Sequence, residues 1–451
     1  MPVPASELFA WHARAGALQR LLPPWEDIRV LEHSGGIRDG ARLTMEISMG
    51  LTAVRWIAEH HGYVEGSEFR DDQIEGPFAK WQHTHRCLPQ GEARSILSDE
   101  VDYELPLGSA GRLAGNGFTR TMLERMFHFR HERTRQDLNR HAAFAAHGKL
   151  TVAVTGASGL IGTALVAFLQ GGGHTVRHVV RRKPSPGSSD IYWNPETGEA
   201  SREGFEGVDA VVHLAGENIG AGRWTPERKE VIRKSRVDGT SLLAETLATL
   251  NRKPTTLIVA SAIGYYGDRG DETLTESSAA GHGYLAEVCK GWEAASGRAA
   301  EAGIRVVNAR IGVVIASKGG ALPKLLTPFK LGLGGPVGNG RQYMSWVAHD
   351  DVIGALHFLL MRDDLAGAVN LVAPQPLSNK EFSKVLGKVL GRPSVLPLPG
   401  FAVKAALGEM GQELLLAGAK VLPARLQEAG FRFVHSGLEE ALRAELGLMT
   451  V

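Results

Sequence analysis

In LTVAVTGASGLIG, Leu150–Gly162, a short apolar strand ends at Thr155 and three glycines follow at three-residue spacing: Gly156, Gly159 and Gly162. Each glycine has a separate task. Gly156 permits a tight turn, Gly159 lets the backbone approach a pyrophosphate, and Gly162 lets the next helix pack closely on the strand. Ser158, Leu160 and Ile161 complete the turn and open that helix, whose first N–H groups point free toward a phosphate. Three glycines alone are weak evidence. Their place between a strand and a helix is the context that dinucleotide binding requires.

Reading outward, further apolar strands stand at Thr175–Val180, Ala210–Leu214, Thr256–Ser261 and Val306–Ile311, with helical patterns at Pro226–Leu250 and Tyr284–Ala302. Repeated βα units predict an α/β domain of Rossmann type, a doubly wound parallel sheet, over residues 150–451. Beyond about Arg341 the pattern loosens. Helical runs at Asn379–Gly391 and Phe401–Ala417 predict a small C-terminal, substrate-side lobe.

Residues 1–142 have a different texture. A helical pattern at Ala5–Leu22 precedes strand-like runs at Arg42–Met49, Val54–Tyr63, Ala79–Cys87 and Ala93–Tyr103, and apolar residues then recur at helical spacing from about Phe118 to Ala145. Strands followed by one long helix predict an α+β module, a curved antiparallel sheet wrapped on a helix, with room for an internal cavity. The stretch 143–149 is small, weakly patterned and linker-like.

The whole chain of 451 residues carries a net charge of +1, and residues 1–149 and the remainder carry −2 and +3. Neither part has the basic excess of a nucleic-acid-binding protein. No run of apolar residues is long enough to span a membrane. The N-terminus lacks a signal-peptide pattern, so a cytoplasmic location is expected. The two cysteines, Cys87 and Cys289, suggest neither a disulfide framework nor a thiolate zinc site.

About twenty residues after the glycines, where an NAD site wants an acid for the ribose diol, the chain has Val179-Val180-Arg181-Arg182-Lys183. Guanidinium groups hold a 2′-phosphate, whereas a carboxylate repels it. Arg181 and Arg182 therefore favour NADP(H) over NAD; the alternative is a solvated basic strand end.

TGASGLIG, HLAGENI (His213–Ile219) and SAIGYYG (Ser261–Gly267) resemble an extended short-chain dehydrogenase/reductase of the sugar-epimerase type. RWTPERKEVIRKSRV (Arg223–Val237), LGLGGPVGNGRQYMSWVAHDDV (Leu331–Val352) and LPARLQEAGF (Leu422–Phe431) narrow this to the atypical epimerase-like family 39U, whose members are also labelled cell-division-inhibitor-like. The resemblance runs from Leu150 to the C-terminus. GPFAKWQHTH (Gly76–His85) and FHFRHERTRQDL (Phe127–Leu138) are more weakly similar to the helix-grip superfamily of START and pollen-allergen-like domains. The resemblance implies that Gly156–Gly162 hold the pyrophosphate, that Arg181 and Arg182 hold the 2′-phosphate, and that Leu214, Ala215 and Gly216 pass along the cofactor. Glu217 and Asn218 follow in the crevice. Arg236 reaches toward it, or else forms a surface ion pair. The helix-grip likeness implies an apolar small-molecule or lipid-like ligand for the first module.

Enzymes of this fold usually use a Ser–Tyr–Lys set, with Tyr and Lys four apart on one helix face. Ser261 matches the serine, though a strand-terminal turn residue would look the same. The pair does not follow. Tyr284 and Lys290 are six apart, and anchoring the helix on Glu293 puts Leu285 and Cys289 at the two positions. Tyr265 and Tyr266, on the loop after Ser261, and Tyr284, at a helix start, are the candidate replacements. Cys289 suits a packed core position, Glu217 either an acid/base or a hydrogen-bonded structural role, and Asp350 an N-cap or ion pair. His83 and His85 share one face of a strand, as two metal ligands would, but no third ligand stands at convincing spacing. No metal is expected, and Trp81, His83 and His85 are placed on a cavity wall or sheet surface. The expected function is an NADP(H)-binding, epimerase-like oxidoreductase acting on a small carbonyl or hydroxyl substrate. A redox sensor that has lost turnover is the alternative.

Overall fold

The computed structural model describes residues 1–50 and 52–449; Thr450 and Val451, at the end of the expected second domain, lie outside them. The chain divides into two compact units, residues 1–148 with 167–174, and residues 149–166 with 175–448.

The first unit is built on a six-stranded antiparallel meander. Its strands are β1 (Ile28–His33), β2 (Arg42–Met49), β3 (Thr52–Val64), β4 (Glu68–Glu75), β5 (Lys80–Pro89) and β6 (Ser95–Glu104), in that spatial order. A helix of 35 residues, Gly108–Ala142, follows. The helical run at Ala5–Leu22 is two helices, Ala5–Ala13 and Ala17–Leu21, divided by a turn at Arg14–Gly16. The sequence pattern misses β1 and β4. β4 reads EFRDDQIE, too charged to look like a strand, yet it pairs with β3 and β5 along its length. A core of Leu8, Phe9, Trp11, Phe69, Cys87 and Leu138 closes part of the interior, and a cavity of about 490 Å³ remains inside the unit.

The second unit holds an eight-stranded sheet. β7 (Thr151–Thr155), β8 (Thr175–Val180), β9 (Ile191–Asn194), β11 (Ala210–His213) and β12 (Thr256–Ala262) run parallel with the strands Arg305–Ile311 and Gly367–Leu371, while the two-residue β10 (Glu199–Ala200) is an antiparallel edge. The order is β10-β9-β8-β7-β11-β12, then Arg305–Ile311, then Gly367–Leu371. β7, β11 and β12 are almost wholly buried, as continuous apolar runs must be when helices cover both faces. Gly367–Leu371 lies beyond Arg341, where the sequence pattern loosens, and still joins this sheet.

Two helices are shorter than their patterns suggest. Tyr284–Ala302 breaks into Tyr284–Ala294 and Gly297–Glu301. Phe401–Ala417 is interrupted at Gly408, whose φ of +61° suits glycine alone. In the C-terminal part Phe329, Trp346, Phe382, Leu386 and Leu442 form a separate small core. Among the described residues no helix is long and apolar enough to cross a membrane.

Candidate functional site

Chain order reverses at β7, whose neighbours are β8 on one side and β11 on the other. Such a switch point opens a crevice at the carboxyl ends of the strands. Thr155 ends β7 opposite His213, the end of β11. The Thr155 hydroxyl accepts from the Leu214 and Ala215 N–H groups, each at 3.1 Å. Its own proton therefore goes to His213 Nδ1, 2.7 Å away. Burial lowers the His213 pKa to about 4, so this imidazole is neutral and can accept. The chain leaving β11 is thus fixed beside the glycine turn.

The turn tolerates no side chain at two of its glycines. Gly156 has φ +64°, and a Cβ there would stand 2.9 Å from the Ala215 nitrogen. A Cβ on Gly162 would stand 2.1 Å from the Gly156 carbonyl oxygen. Gly159 differs. Its Cβ would meet only that same oxygen, at 3.2 Å, so its outer side is clear. Ser158 and Gly159 are exposed at the start of the helix Leu160–Gly171, and Ile161 is half-buried behind them. The Leu160 carbonyl meets His349 Nε2 at 3.1 Å. An exposed backbone turn at the amino end of a 12-residue helix fits a pyrophosphate.

β8 pairs with β7 so that Val179 lies opposite Thr155. Arg181 and Arg182 follow directly, both exposed, at the same end of the sheet. Arg181 meets Glu196 at 3.2 Å, and both side chains lie largely in water, a pair of little energetic weight that leaves the guanidinium available. Among the described residues Arg236 is in no surface ion pair. It rises from the helix Pro226–Ala248 to within 3.5 Å of where a Cβ on Gly216 would stand, with its guanidinium over Trp292 at 4.9 Å. Burial lowers its pKa from the ordinary arginine value. Glu217 accepts from Arg228 at 2.9 Å, a hydrogen-bonded arrangement.

At the end of β12, Ser261 is buried and donates to Glu293 Oε1 at 2.7 Å. Glu293 receives two further bonds of 2.8 Å from Arg310. Arg310 also donates to the Tyr266 hydroxyl at 3.0 Å, and that hydroxyl donates to Asn370 at 2.7 Å. Its guanidinium lies 3.4 Å from the centre of the half-buried Tyr265 ring. The sequence reading missed the Glu293–Arg310 pair. The signal was an arginine inside the apolar strand RVVNARI, since a buried charge needs a buried partner.

The helix Tyr284–Ala294 places Leu285 and Cys289 toward β12: a Cβ on Gly264 would meet Leu285 at 3.2 Å and the Cys289 sulfur at 3.8 Å. Burial raises the Cys289 thiol to about 11, which keeps it protonated. Lys290 points outward and pairs with Glu287 at 3.0 Å. The Tyr284 hydroxyl donates to the Lys229 carbonyl at 2.6 Å, and burial raises its pKa to about 12. The structure therefore brings Ser261, Tyr265 and Cys289 to one strand end and directs the Tyr284 hydroxyl to another helix. Asp350 is not an N-cap: Ala348 holds that position, and Asp350 lies in the first turn of His349–Leu360. Asp351 beside it accepts from the Val434 and His435 N–H groups at 2.8 and 3.0 Å.

Residues 152–371 match the NAD dependent epimerase/dehydratase family, residues 398–445 a domain of unknown function, and residues 1–127 a family described as polyketide cyclase / dehydrase and lipid transport. Epimerase family protein ML0860 of Mycobacterium leprae is 44% identical over 297 residues, 66% of this chain and 96% of the relative. A crystal structure of a nucleoside-diphosphate sugar epimerase from Corynebacterium glutamicum superposes with a TM-score of 0.80 at 34% identity, covering 99% of this chain and 89% of that one. A crystal structure of the human epimerase family protein SDR39U1 with NADPH has a TM-score of 0.61 at 34% identity, covering 66% of this chain and all of that one. The switch-point crevice, the glycine turn and these likenesses agree, and the chain belongs to the epimerase family of short-chain dehydrogenase/reductase proteins, with a helix-grip domain at its N-terminus.

Proposed function

We propose that this protein binds NADP(H) at the β7 turn and is an epimerase-like oxidoreductase acting on a small carbonyl or hydroxyl compound. The observation that carries the reading is the glycine turn beside two exposed arginines. Gly156 and Gly162 admit no Cβ, Gly159 leaves its outer side clear, and Arg181 and Arg182 stand at the end of the neighbouring strand. The human relative crystallised with NADPH supports the phosphorylated cofactor. When bound, NADP(H) gives or takes a hydride. Gly156–Gly162 would hold the pyrophosphate, Arg181 and Arg182 the 2′-phosphate, and Leu214–Gly216 with Arg236 would flank the rest.

Ser261 is assigned to orient the substrate oxygen, held in place by its bond to Glu293. Tyr265 is the best of the tyrosine candidates for the proton, since Tyr266 is fully buried with its hydroxyl paired to Arg310 and Asn370. Tyr265 lies at the Ser261 end of β12 over the Arg310 guanidinium, whereas the Tyr284 hydroxyl is committed to Lys229. The helix-grip domain would take an apolar ligand in its cavity.

One observation favours a second reading, a nucleotide-binding redox sensor without turnover. Leu285 and Cys289 occupy the helix face toward β12, so the usual phenol and ammonium are absent there. NADPH oxidation with a panel of small carbonyl compounds separates the two. The enzyme reading expects turnover that falls at least about 100-fold in Ser261→Ala. Tight NADPH binding with no turnover across the panel would instead select the sensor.

A further inference from the structure

The cavity of the first unit is walled mainly by apolar side chains, among them Met45, Trp56, Phe78, Met122 and Met126. One part of the wall is different: Asp71, His83 and His85 face the same space. β4 and β5 pair with Asp71 opposite His83, and strand alternation puts His85 on the face of His83. β6 then places Asp99 opposite His85.

The two Asp71–histidine distances match those between donors of a coordination shell. Asp71 Oδ1 lies 3.2 Å from His83 Nδ1 and 3.3 Å from His85 Nε2, and the three donor atoms lie within 4.8 Å of one another. Donors bound at about 2.0–2.1 Å in a tetrahedron stand about 3.3 Å apart. Behind the rings, on the side away from the cavity, His83 Nε2 is 3.1 Å and His85 Nδ1 2.6 Å from the same oxygen, Asp99 Oδ1. Asp99 does not line the cavity and is itself held by His131. The hydrogen bond from His83 Nε2 to Asp99 favours the tautomer with its proton on that side, which leaves the His83 Nδ1 lone pair toward Asp71, while His85 directs Nε2 at Asp71. Metal-bound histidines are oriented in this way.

We propose that Asp71, His83 and His85 form a divalent metal site on the cavity wall, with Asp99 as the positioning residue that fixes the His83 imidazole. Two imidazoles and one carboxylate suit a first-row transition ion such as Zn²⁺, Co²⁺ or Fe²⁺. Three protein donors leave coordination positions open, and these face a chamber walled mainly by apolar side chains. The class of ligand it would take is an apolar molecule bearing one oxygen donor. The site deepens the assignment of an apolar ligand to this domain and is independent of nucleotide binding in the other unit.

The test is titration of the full chain, stripped with a chelator, with Co²⁺ followed by visible absorption and with Zn²⁺ by calorimetry. The expected result is one ion per chain, with Zn²⁺ displacing Co²⁺. His85→Ala and Asp71→Asn should abolish stoichiometric uptake. Asp99→Asn should weaken it about 10–100-fold. His61→Ala, an exposed histidine paired with Asp72, should change nothing. Circular dichroism checks that each variant is folded; if His85→Ala is not, the isosteric Asp71→Asn carries the same test. Absence of stoichiometric uptake by the wild-type chain would overturn the proposal, as would uptake unchanged in Asp71→Asn. Either result would leave the two imidazoles as a structural bridge between two carboxylates.

Discussion

His213 shows how one side chain ties the nucleotide turn to pH. Its Nδ1 must accept, because the Thr155 hydroxyl already receives two backbone N–H groups. Its ring is fully buried beside Trp193. The folded-state pKa is lowered to about 4 by burial, below the ordinary histidine value. As pH falls below about 6.5, the unfolded chain takes up a proton that the folded chain refuses, so stability is lost progressively down to about pH 4. Between pH 7 and pH 5 this one group should cost about 2 kcal/mol. Urea unfolding of wild type and His213→Leu at the two pH values checks it: the wild type should lose about 2 kcal/mol more than the variant. Equal losses would mean the imidazole is not held neutral. At this scale Ser261 and the two arginines were legible from their place in a motif. Glu293 was not legible as a partner, since its contact with Arg310 spans 17 residues and two elements.

At the scale of elements, the turn between β7 and the helix Leu160–Gly171 predicts opposite behaviour for two glycines of one motif. Gly162→Ala drives a methyl into the Gly156 carbonyl, a backbone atom that cannot swing aside. It should destabilise the second unit by about 1–3 kcal/mol. Gly159→Val meets one backbone oxygen at 3.2 Å, a tight contact relieved by a shift of a few tenths of an ångström, and fills the space outside the turn. It should leave thermal unfolding nearly unchanged while abolishing NADPH binding. Thermal melts and NADPH titration of both variants distinguish packing from binding; the reverse pattern would mean the roles are misassigned. The βα pattern was visible because both-sided burial leaves continuous apolar runs such as Thr256–Ala262. β4 was invisible for the opposite reason. Its inward positions include Asp71, whose purpose appears only when the register sets it beside His83. The break after Ala294 was also hidden, since Ser296 and Gly297 interrupt an apolar pattern that continues on either side.

Over the whole molecule, two units of different architecture carry two different kinds of chemistry. The parallel sheet brings residues from distant parts of the chain, Gly159, Arg181, Gly216 and Arg236, to one crevice. The antiparallel meander encloses an apolar chamber with a polar wall. The division was legible as a change from period-two strands to βα alternation, and the cavity as the room left by a curved sheet on a helix, but the meeting of Asp71 with His83 and His85 on its wall was not, because it depends on the pairing of two strands. The claim on which the functional reading rests is that a phosphorylated dinucleotide binds where the β7 turn meets Arg181 and Arg182. Isothermal titration of the full chain with NADPH and with NADH addresses it directly. One saturable site per chain is predicted, tighter for NADPH by about tenfold or more, a preference of about 1.4 kcal/mol that the double variant Arg181→Ala, Arg182→Ala erases. No saturable heat with NADPH, or a preference untouched by removing both arginines, would contradict it.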